Sequence, residues 1–404
     1  MRYVPSPTLR SMVVYGASGL AFAGGNLLLA RALSTEHYAL ITLVVALATL
    51  GYHLAPLGLD SVVTRARVQV GPTLLKRVGV TTTVVGLGVS ITALAAYGLS
   101  TGTALVLFAA TVGGGLMLVA AARFQSEQRF ALSLALVASP NLLLLLGALA
   151  VLASSSRTAT LPFVILAVGL VLVAGIGWLL ILREPRPDAR PTFAIPWGEA
   201  FALAGVSAAG MLLIQLERLV IPYVLPVADL ALFGVLGAVA GSLFRLLQMG
   251  VGFTLLPRLR NAATVFERRQ LIAHELRLAV VIAVTGAVAI LVLTPVLERW
   301  LLAGKYHLSL SLVLAILFSG IVKIAHAFAK AAATALATPR ELAFVNAAGW
   351  ISVLLAVASA VGAARWGLAG VIYGVGTGWL AWAIMSFALV VRHLRVPESV
   401  PVET

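Results

Sequence analysis

The chain has 404 residues, of which 61% are hydrophobic and 10% are charged, and its formal net charge is +14. Soluble globular proteins carry about 25% charged residues, so this composition identifies an integral membrane protein. Apolar runs recur from end to end and leave no room for a soluble catalytic domain.

Apolar runs of roughly 20 residues predict an all-α protein with about twelve transmembrane helices. The first set of six lies near residues 12–32, 38–59, 78–99, 103–122, 130–153 and 161–182. The second set lies near residues 199–224, 229–256, 277–299, 308–334, 341–364 and 367–391. Ala21-Phe22-Ala23 imitates a signal-peptidase site. Because the apolar run continues past it to Leu29, we expect a span here rather than a cleaved signal peptide.

The stretch REPRPDARPTFAIP, residues 183–196, combines charges with four prolines near the midpoint of the chain. Such a segment is typical of a linker. We therefore expect two domains, an N-terminal six-helix lobe of residues 1–190 and a C-terminal six-helix lobe of residues 191–404.

The two halves resemble distant copies of each other. Tyr38 begins one span 27 positions before Arg65, and Phe233 begins another 27 positions before Arg260. An even number of helices per copy keeps both copies in the same orientation, which predicts a pseudo-two-fold axis along the membrane normal. The binding site is expected between the halves.

The basic residues are distributed unevenly between the two sides of the membrane. With both termini inside, nineteen basic residues fall on the inner side and five on the outer side: Arg31, Arg157, Arg299, Lys305 and Arg365. This bias predicts cytoplasmic termini and a multi-pass protein of a bacterial or archaeal cytoplasmic (inner) membrane. Contact with the inner leaflet explains the positive charge, so no nucleic-acid partner is expected.

Four basic residues lie within predicted spans: Arg218, Arg245, Lys323 and Lys330. Each costs about 2.5 to 3.5 kcal/mol at a helix centre, so it needs a partner, water or a function. Arg245 is nearest the middle of its span, and Gln248 shares its helical face. Arg245 either lines a water-filled cavity or pairs with Glu217 on the neighbouring helix.

Gln215 and Arg218 also share a face, whereas Glu217 points about 100° away from Arg218. Glu217 is therefore expected to hold a cation while Arg218 faces the cavity. Simple extension of the Arg218 side chain to the outer interface is the alternative.

Lys323, His326 and Lys330 are spaced to form one stripe on a helix. The stripe is typical of a cationic track for an anionic head group, with His326 as a proton-sensitive member. Lys330 lies nearer the inner interface, which its side chain can reach. Asp60 is predicted near the inner end of the second helix, as an ion-pairing or coupling residue.

No enzyme signature is present in the sequence. There is no cysteine, no phosphate-binding glycine-rich loop with lysine and no His-Glu-x-x-His motif. We expect no cofactor, no metal and no catalytic activity, and transport driven by a gradient or by downstream consumption.

Residues 27–66 resemble the opening of polysaccharide flippases, the O-antigen and lipid-linked oligosaccharide exporters of the multidrug/oligosaccharidyl-lipid/polysaccharide (MOP) superfamily. The resemblance rests on three motifs, Leu29-Ala30-Arg31 with Leu33-Ser34, Tyr38, and Gly58-Leu59-Asp60. In the second half it rests on Glu217, Phe233-Gly234 and Pro257. Ala39 departs from the family, which usually has glycine after the tyrosine.

The resemblance implies two six-helix lobes that move a polyprenyl-pyrophosphate-linked oligosaccharide to the outer leaflet by alternating access. It assigns pyrophosphate binding to Arg245, Arg218 and Lys323, and implies glycan polymerases as possible partners. A multidrug cation antiporter of the same superfamily is the alternative, although the first helix carries no carboxylate. A lipid II flippase and a membrane-embedded glycan polymerase or ligase are weaker alternatives.

Overall fold

The computed structural model describes residues 7–65, 68, 70–154, 157–184, 195–240, 259, 262 and 264–395. Most of these residues are helical, and none of them lies in a strand. The helices before the midpoint are α1 (Pro7–Ala32), α2 (Thr35–Leu54), α3 (Leu59–Thr64), α4 (Pro72–Tyr97), α5 (Thr101–Ser126), α6 (Phe130–Ala153) and α7 (Thr160–Arg183). The helices after it are α8 (Trp197–Val224), α9 (Val227–Val239), α10 (Val265–Val296), α11 (Leu310–Leu336), α12 (Pro339–Ala363) and α13 (Gly367–Arg395).

The predicted all-α membrane fold with about twelve apolar helices is confirmed. Among the described residues, nine segments are long and apolar enough to cross a membrane, and one of these, Ala343–Leu394, covers most of α12 and of α13. Helix α4 exposes a stripe of large apolar side chains, Val80, Val84, Leu87 and Ile91. Their spacing puts them on one helical face, as expected for a surface that contacts lipid.

Several helices differ from their predicted bounds, and two of these differences have a local structural cause. The second helix, expected to reach residue 59, ends at Leu54, and a turn leads into the short helix α3. Leu57 and Gly58 in this turn have positive φ angles of 49° and 82°.

Helix α10 begins twelve residues earlier than predicted, because the charged segment 265–277 is helical although it is too polar to be part of an apolar run. The Thr264 side chain caps it by accepting a bond from Glu267 N.

Compact packing divides the chain into two units, which we call the N-terminal unit (Met1–Ala238 with Leu301–Lys305) and the C-terminal unit (Val239–Trp300 with Tyr306–Thr404). Helix α8 packs against α2 and α3 within the N-terminal unit. The predicted division into lobes of residues 1–190 and 191–404 stays a prediction.

Helix α5 is the centre of the N-terminal unit and contacts α2, α3, α4, α6 and α7. Three consecutive glycines, Gly113, Gly114 and Gly115, lie where its neighbours approach most closely. A Cβ atom on Gly113 would lie 2.8 Å from the backbone nitrogen of Val171, and one on Gly114 would lie 2.6 Å from Cβ of Tyr52. Small residues permit this backbone approach, which drives helix association in lipid.

Helix α8 is attached to the N-terminal unit near both of its ends. Near its C-terminus, the Tyr97 hydroxyl donates to Leu219 O at 3.1 Å and the Tyr223 hydroxyl donates to Ala96 O at 2.9 Å. The two phenol rings lie 5.1 Å apart. These reciprocal bonds join α4 to α8.

At the other end of α8, Arg65 forms an ion pair of 2.9 Å with Glu199. Gly58 lies beside the same turn, and a Cβ atom there would be 2.0 Å from Ala200 O. Glycine at position 58 therefore serves two needs, a positive φ angle and a close approach of backbones.

The C-terminal unit is built around α11, α12 and α13. Helix α13 approaches both neighbours through glycines: a Cβ atom on Gly378 would lie 2.5 Å from Cβ of Ala356 on α12, and one on Gly376 would lie 2.6 Å from the Phe318 ring on α11. The Trp382 indole occupies the space beside Gly349, and its Nε1 donates to Val345 O at 3.1 Å. This packing fixes the tryptophan ring between helices.

Helix α12 begins with a capping box formed by Thr338 and Glu341. The Thr338 backbone N–H and hydroxyl both donate to the Glu341 carboxylate at 2.8 Å, and His393 lies 2.9 Å from it. These bonds, the backbone N–H first, hold the pKa of Glu341 at about 2. Glu341 is therefore ionised and engaged at the helix end.

Candidate functional site

In the N-terminal unit, helix α8 carries the polar residues predicted on the seventh span. Gln215 is 2% exposed and Glu217 is fully buried, whereas Arg218 is partly buried. The Arg218 guanidinium donates to the Gln215 side-chain oxygen at 2.9 Å. The structure thus brings together the two residues that the sequence placed on a common face.

The guanidinium of Arg218 is also held by residues of α9 and α2. It lies 5.4 Å from the centre of the Phe233 ring, within the range of a cation–π contact. A Cβ atom on Gly237 would lie 3.2 Å from its Nη2 atom. Glu217 and Tyr38 act on it electrostatically. Arg218 is therefore positioned by several groups rather than extended freely to an interface.

The resemblance motifs in the first half shape this region. Ser34 caps α2 by accepting a bond from His37 N at 3.2 Å, and Leu29, Leu33 and Tyr38 are buried. Gly234 of α9 lies against α2, since a Cβ atom there would be 2.4 Å from the Thr42 hydroxyl. The motif residues therefore place α2 close to the helix that carries Phe233.

Asp60 lies in the first turn of α3 and is partly buried. Burial raises its pKa above the ordinary value, and bonds to the backbone N–H groups of Ser61 and Asp60 oppose this only in part. A carboxyl group in this state takes up a proton more readily than an exposed one. Within the described chain, Asp60 forms no ion pair.

In the C-terminal unit, the predicted stripe of Lys323, His326 and Lys330 lies against two tryptophans of α13. The Lys323 ammonium is 5.9 Å from the Trp379 ring centre, and the Lys330 ammonium is 5.1 Å from the Trp382 ring centre. His326 lies between the two indoles, with ring centres 4.8 Å and 4.3 Å away.

Sequence reasoning missed both tryptophans. Their three-residue spacing puts them on one face of the last helix, but nothing local shows that this face meets the stripe. His326 itself is only 3% exposed. It therefore points into its own helical unit, a location that the stripe pattern does not reveal.

Arg245, Gln248 and Pro257 lie outside the described residues. Their proposed roles and the pairing of Arg245 with Glu217 remain predictions. A concavity of about 830 Å³ lies beside the first turns of α10 and is lined by Glu267, Gln270, His274 and Arg277, among others. None of the predicted site residues that the structure describes lines it.

Comparison with known proteins shows the fold. No family model matches the chain, and no curated protein matches its sequence. An inward-facing multidrug resistance MATE family transporter of the MOP superfamily is 12% identical with a TM-score of 0.61, and the match covers 98% of this chain and 96% of that one. The lipid II flippase MurJ in an inward closed conformation is 12% identical with a TM-score of 0.65, covering 96% and 89%. The MATE multidrug transporter DinF-BH is 13% identical with a TM-score of 0.61, covering 96% of each chain.

These similarities extend over nearly the whole length of the chain. At such low identity they establish the fold and not the transported molecule. The chain is therefore a multi-pass membrane protein with the fold of MOP superfamily transporters.

Proposed function

We propose that the protein is a flippase that moves a polyprenyl-pyrophosphate-linked oligosaccharide from the inner to the outer leaflet by alternating access. The observation that carries the proposal is the guanidinium of Arg218, held in an apolar helix by Gln215 at 2.9 Å and by the Phe233 ring at 5.4 Å. A cation fixed in this way suits an anionic ligand, because the arginine fork matches phosphate oxygens.

The balance of charge within the spans supports an anionic substrate. Away from their ends, the predicted spans carry Arg218, Arg245, Lys323 and Lys330, whereas Glu217 is the one acidic residue in a comparable position. A pyrophosphate crossing the hydrocarbon needs compensating positive charge, since an isolated ion is very costly there. Gln215 and Gln248 would add hydrogen bonds to the head group.

Two acids are assigned to coupling rather than to the substrate. Glu217 is fully buried beside Arg218. Asp60 has a raised pKa because of burial. We assign both to ion pairing or proton coupling, in a protein of a bacterial or archaeal cytoplasmic membrane that works with glycan polymerases.

The proposal is tested with purified protein in liposomes that contain a fluorescent polyprenyl-pyrophosphate oligosaccharide. A reagent that cannot cross the membrane reports how much substrate has changed leaflets. Loss of one charge-assisted bond costs roughly 1.5 to 3 kcal/mol, or about 10- to 150-fold in affinity. We expect Arg218→Ala to show this loss and Arg218→Lys a partial one.

Arg157→Ala is the matched control, because Arg157 is an exposed arginine between α6 and α7. It should flip substrate like the unaltered protein. Equal flipping by Arg218→Ala and the control, in protein that is folded and inserted, would remove the basis of the proposal.

A multidrug cation antiporter is the second candidate, and the buried carboxylate of Glu217 favours it. Such a transporter needs an acid within its spans to exchange a cationic drug for an ion. Uptake of a cationic dye that Glu217→Gln abolishes, together with no movement of the lipid-linked oligosaccharide, would establish this alternative.

A further inference from the structure

A mainly apolar groove of about 630 Å³ lies between α12 and α13, next to the turn that joins these two helices. Its volume is within the range of about 300 to 1,000 Å³ that is usual for sites of small ligands. The lining residues of α13 recur every three or four positions from Ala369 to Thr377, so they form one helical face. None of the residues that line this groove belongs to the proposed transport site.

Glycines explain why the groove exists. A Cβ atom on Gly370 would lie 2.1 Å from Ala363 O, and one on Gly374 would lie 2.6 Å from Cα of Ala360, so α13 contacts the backbone of α12 at these glycines. Gly362 also lines the groove, but a Cβ atom there would have no neighbour within 4 Å. The two helices therefore touch along Gly370 and Gly374, while the surface at Gly362 stays open.

The groove has the depth of one leaflet of a bilayer. Helices α12 and α13 have 25 and 29 residues, which is enough to cross a membrane, so the turn between them lies at an interface. From Gly367, where α13 begins, to Thr377 the helix rises about 15 Å. The hydrocarbon core of a bilayer is about 30 Å thick, so the groove extends from the interface to about the midplane. Such a groove matches a single acyl chain.

The end of the groove at the turn is aromatic and positively charged. The Arg365 guanidinium lies 4.1 Å from the centre of the Trp366 ring, and both residues line the groove. Trp366 is 64% exposed, as is usual for a tryptophan at the level of lipid head groups. Within the described part of the chain, Arg365 forms no ion pair. Its charge is therefore accessible to a ligand.

The charges beside the groove favour an anionic head group over a zwitterionic one. Positions 342–395, which include almost all of α12 and α13, contain no aspartate or glutamate. The ammonium group of a zwitterionic lipid would meet no carboxylate on these helices, and the guanidinium over the Trp366 ring would repel it. A phosphate group, in contrast, matches the hydrogen-bond donors of an arginine.

We propose that this groove binds one anionic phospholipid of the phosphatidylglycerol class. One acyl chain lies along the face of α13 between Gly367 and Thr377, and the phosphate accepts hydrogen bonds from Arg365. The site does not depend on the proposed transport function, because it lies within one helical hairpin and uses none of the residues assigned to transport.

The test is native mass spectrometry of the full-length protein in detergent, titrated with phosphatidylglycerol or with phosphatidylcholine that has the same acyl chains. We expect the unaltered protein to bind one phosphatidylglycerol molecule about 10-fold more tightly than phosphatidylcholine, the effect of one hydrogen bond to a charged group. Arg365→Ala should bind the two lipids equally. Arg157→Ala is the matched control, since Arg157 is an exposed arginine elsewhere, and it should keep the preference.

A second variant fills the groove and leaves its charge unchanged. Gly362→Leu places an apolar side chain in the groove, where its Cβ atom meets no neighbour, so this variant should fold and should lose the tightly bound lipid. Gly175→Leu on α7 is the matched control. A Cβ atom on Gly175 also has no neighbour within 4 Å, and this variant should bind phosphatidylglycerol like the unaltered protein.

Three results would overturn the proposal. The first is equal affinity of the unaltered protein for the two lipids. The second is a preference for phosphatidylglycerol that persists in Arg365→Ala or in Gly362→Leu. The third is a dimer of the unaltered protein that Gly362→Leu converts to monomers with no change in lipid binding, which would assign the groove to a second copy of the chain.

Discussion

Replacing Gly113 by alanine tests whether close backbone packing around α5 stabilises the N-terminal unit. The added Cβ atom would lie 2.8 Å from Val171 N and 3.0 Å from Leu170 C, both backbone atoms of α7. Favourable contacts between such atoms begin at about 3.5 Å, so α5 and α7 must separate by roughly 0.5 Å or more. A backbone cannot rotate out of the way as a side chain can.

The cost of this substitution is the sum of two opposing effects. Overpacking costs about 1 to 3 kcal/mol, whereas alanine in a helix interior is favoured over glycine by about 0.5 to 1 kcal/mol. Gly88→Ala isolates the second effect, because a Cβ atom on Gly88 of α4 has no neighbour within 4 Å. We expect the two variants to differ by about 1 to 3 kcal/mol, the overpacking cost alone.

The measurement is the free energy of unfolding of the purified protein, obtained from a titration with sodium dodecyl sulfate. Gly113→Ala should unfold at a lower fraction of this detergent than the unaltered protein, and Gly88→Ala at the same or a higher fraction. Two variants of equal stability would show that α5 and α7 do not approach as closely as described.

Three further substitutions test the placement of Arg218, the attachment of α8 and the ionisation of Asp60. Gly237→Ala should displace the guanidinium of Arg218 and reduce flipping. Gly210→Ala should leave flipping unchanged, because its Cβ atom would have no neighbour within 4 Å. Equal flipping by the two variants would contradict the placement of Arg218. Tyr97→Phe removes one hydrogen bond to α8 and should lower the free energy of unfolding by about 0.5 to 1.5 kcal/mol in the same detergent titration. The raised pKa of Asp60 means that its carboxylate destabilises the fold above that pKa, so stability should rise as the pH falls through it. Asp60→Asn should be more stable at pH 7, and its unfolding temperature should depend less on pH.

The sequence predicted the helices well, because the length of an apolar run is a local property of the chain. The run Phe130–Ala153 begins and ends where the apolar pattern does. Hydropathy did not place the start of α10, because residues 265–277 are too polar to be part of an apolar run, although they are helical and follow a threonine cap. Hydropathy also missed the end of α2, where the chain turns at Gly58 because its backbone has a positive φ angle and lies close to Ala200 of α8.

The candidate site was only partly predictable. The pairing of Gln215 with Arg218 follows from helical spacing within one segment. The contacts of His326 with Trp379 and Trp382 join residues more than fifty positions apart on different helices. No local pattern specifies such a contact, because it depends on which faces meet when the helices pack.

The amino-acid sequence by itself determined that this is a multi-pass helical membrane protein, because apolar length and the scarcity of charge are sufficient to place helices in lipid. Tertiary structure alone decided that α8 packs with the N-terminal unit and that His326 is enclosed by two indoles. Those outcomes depend on glycines and ring shapes that become complementary only when helices distant in sequence come together.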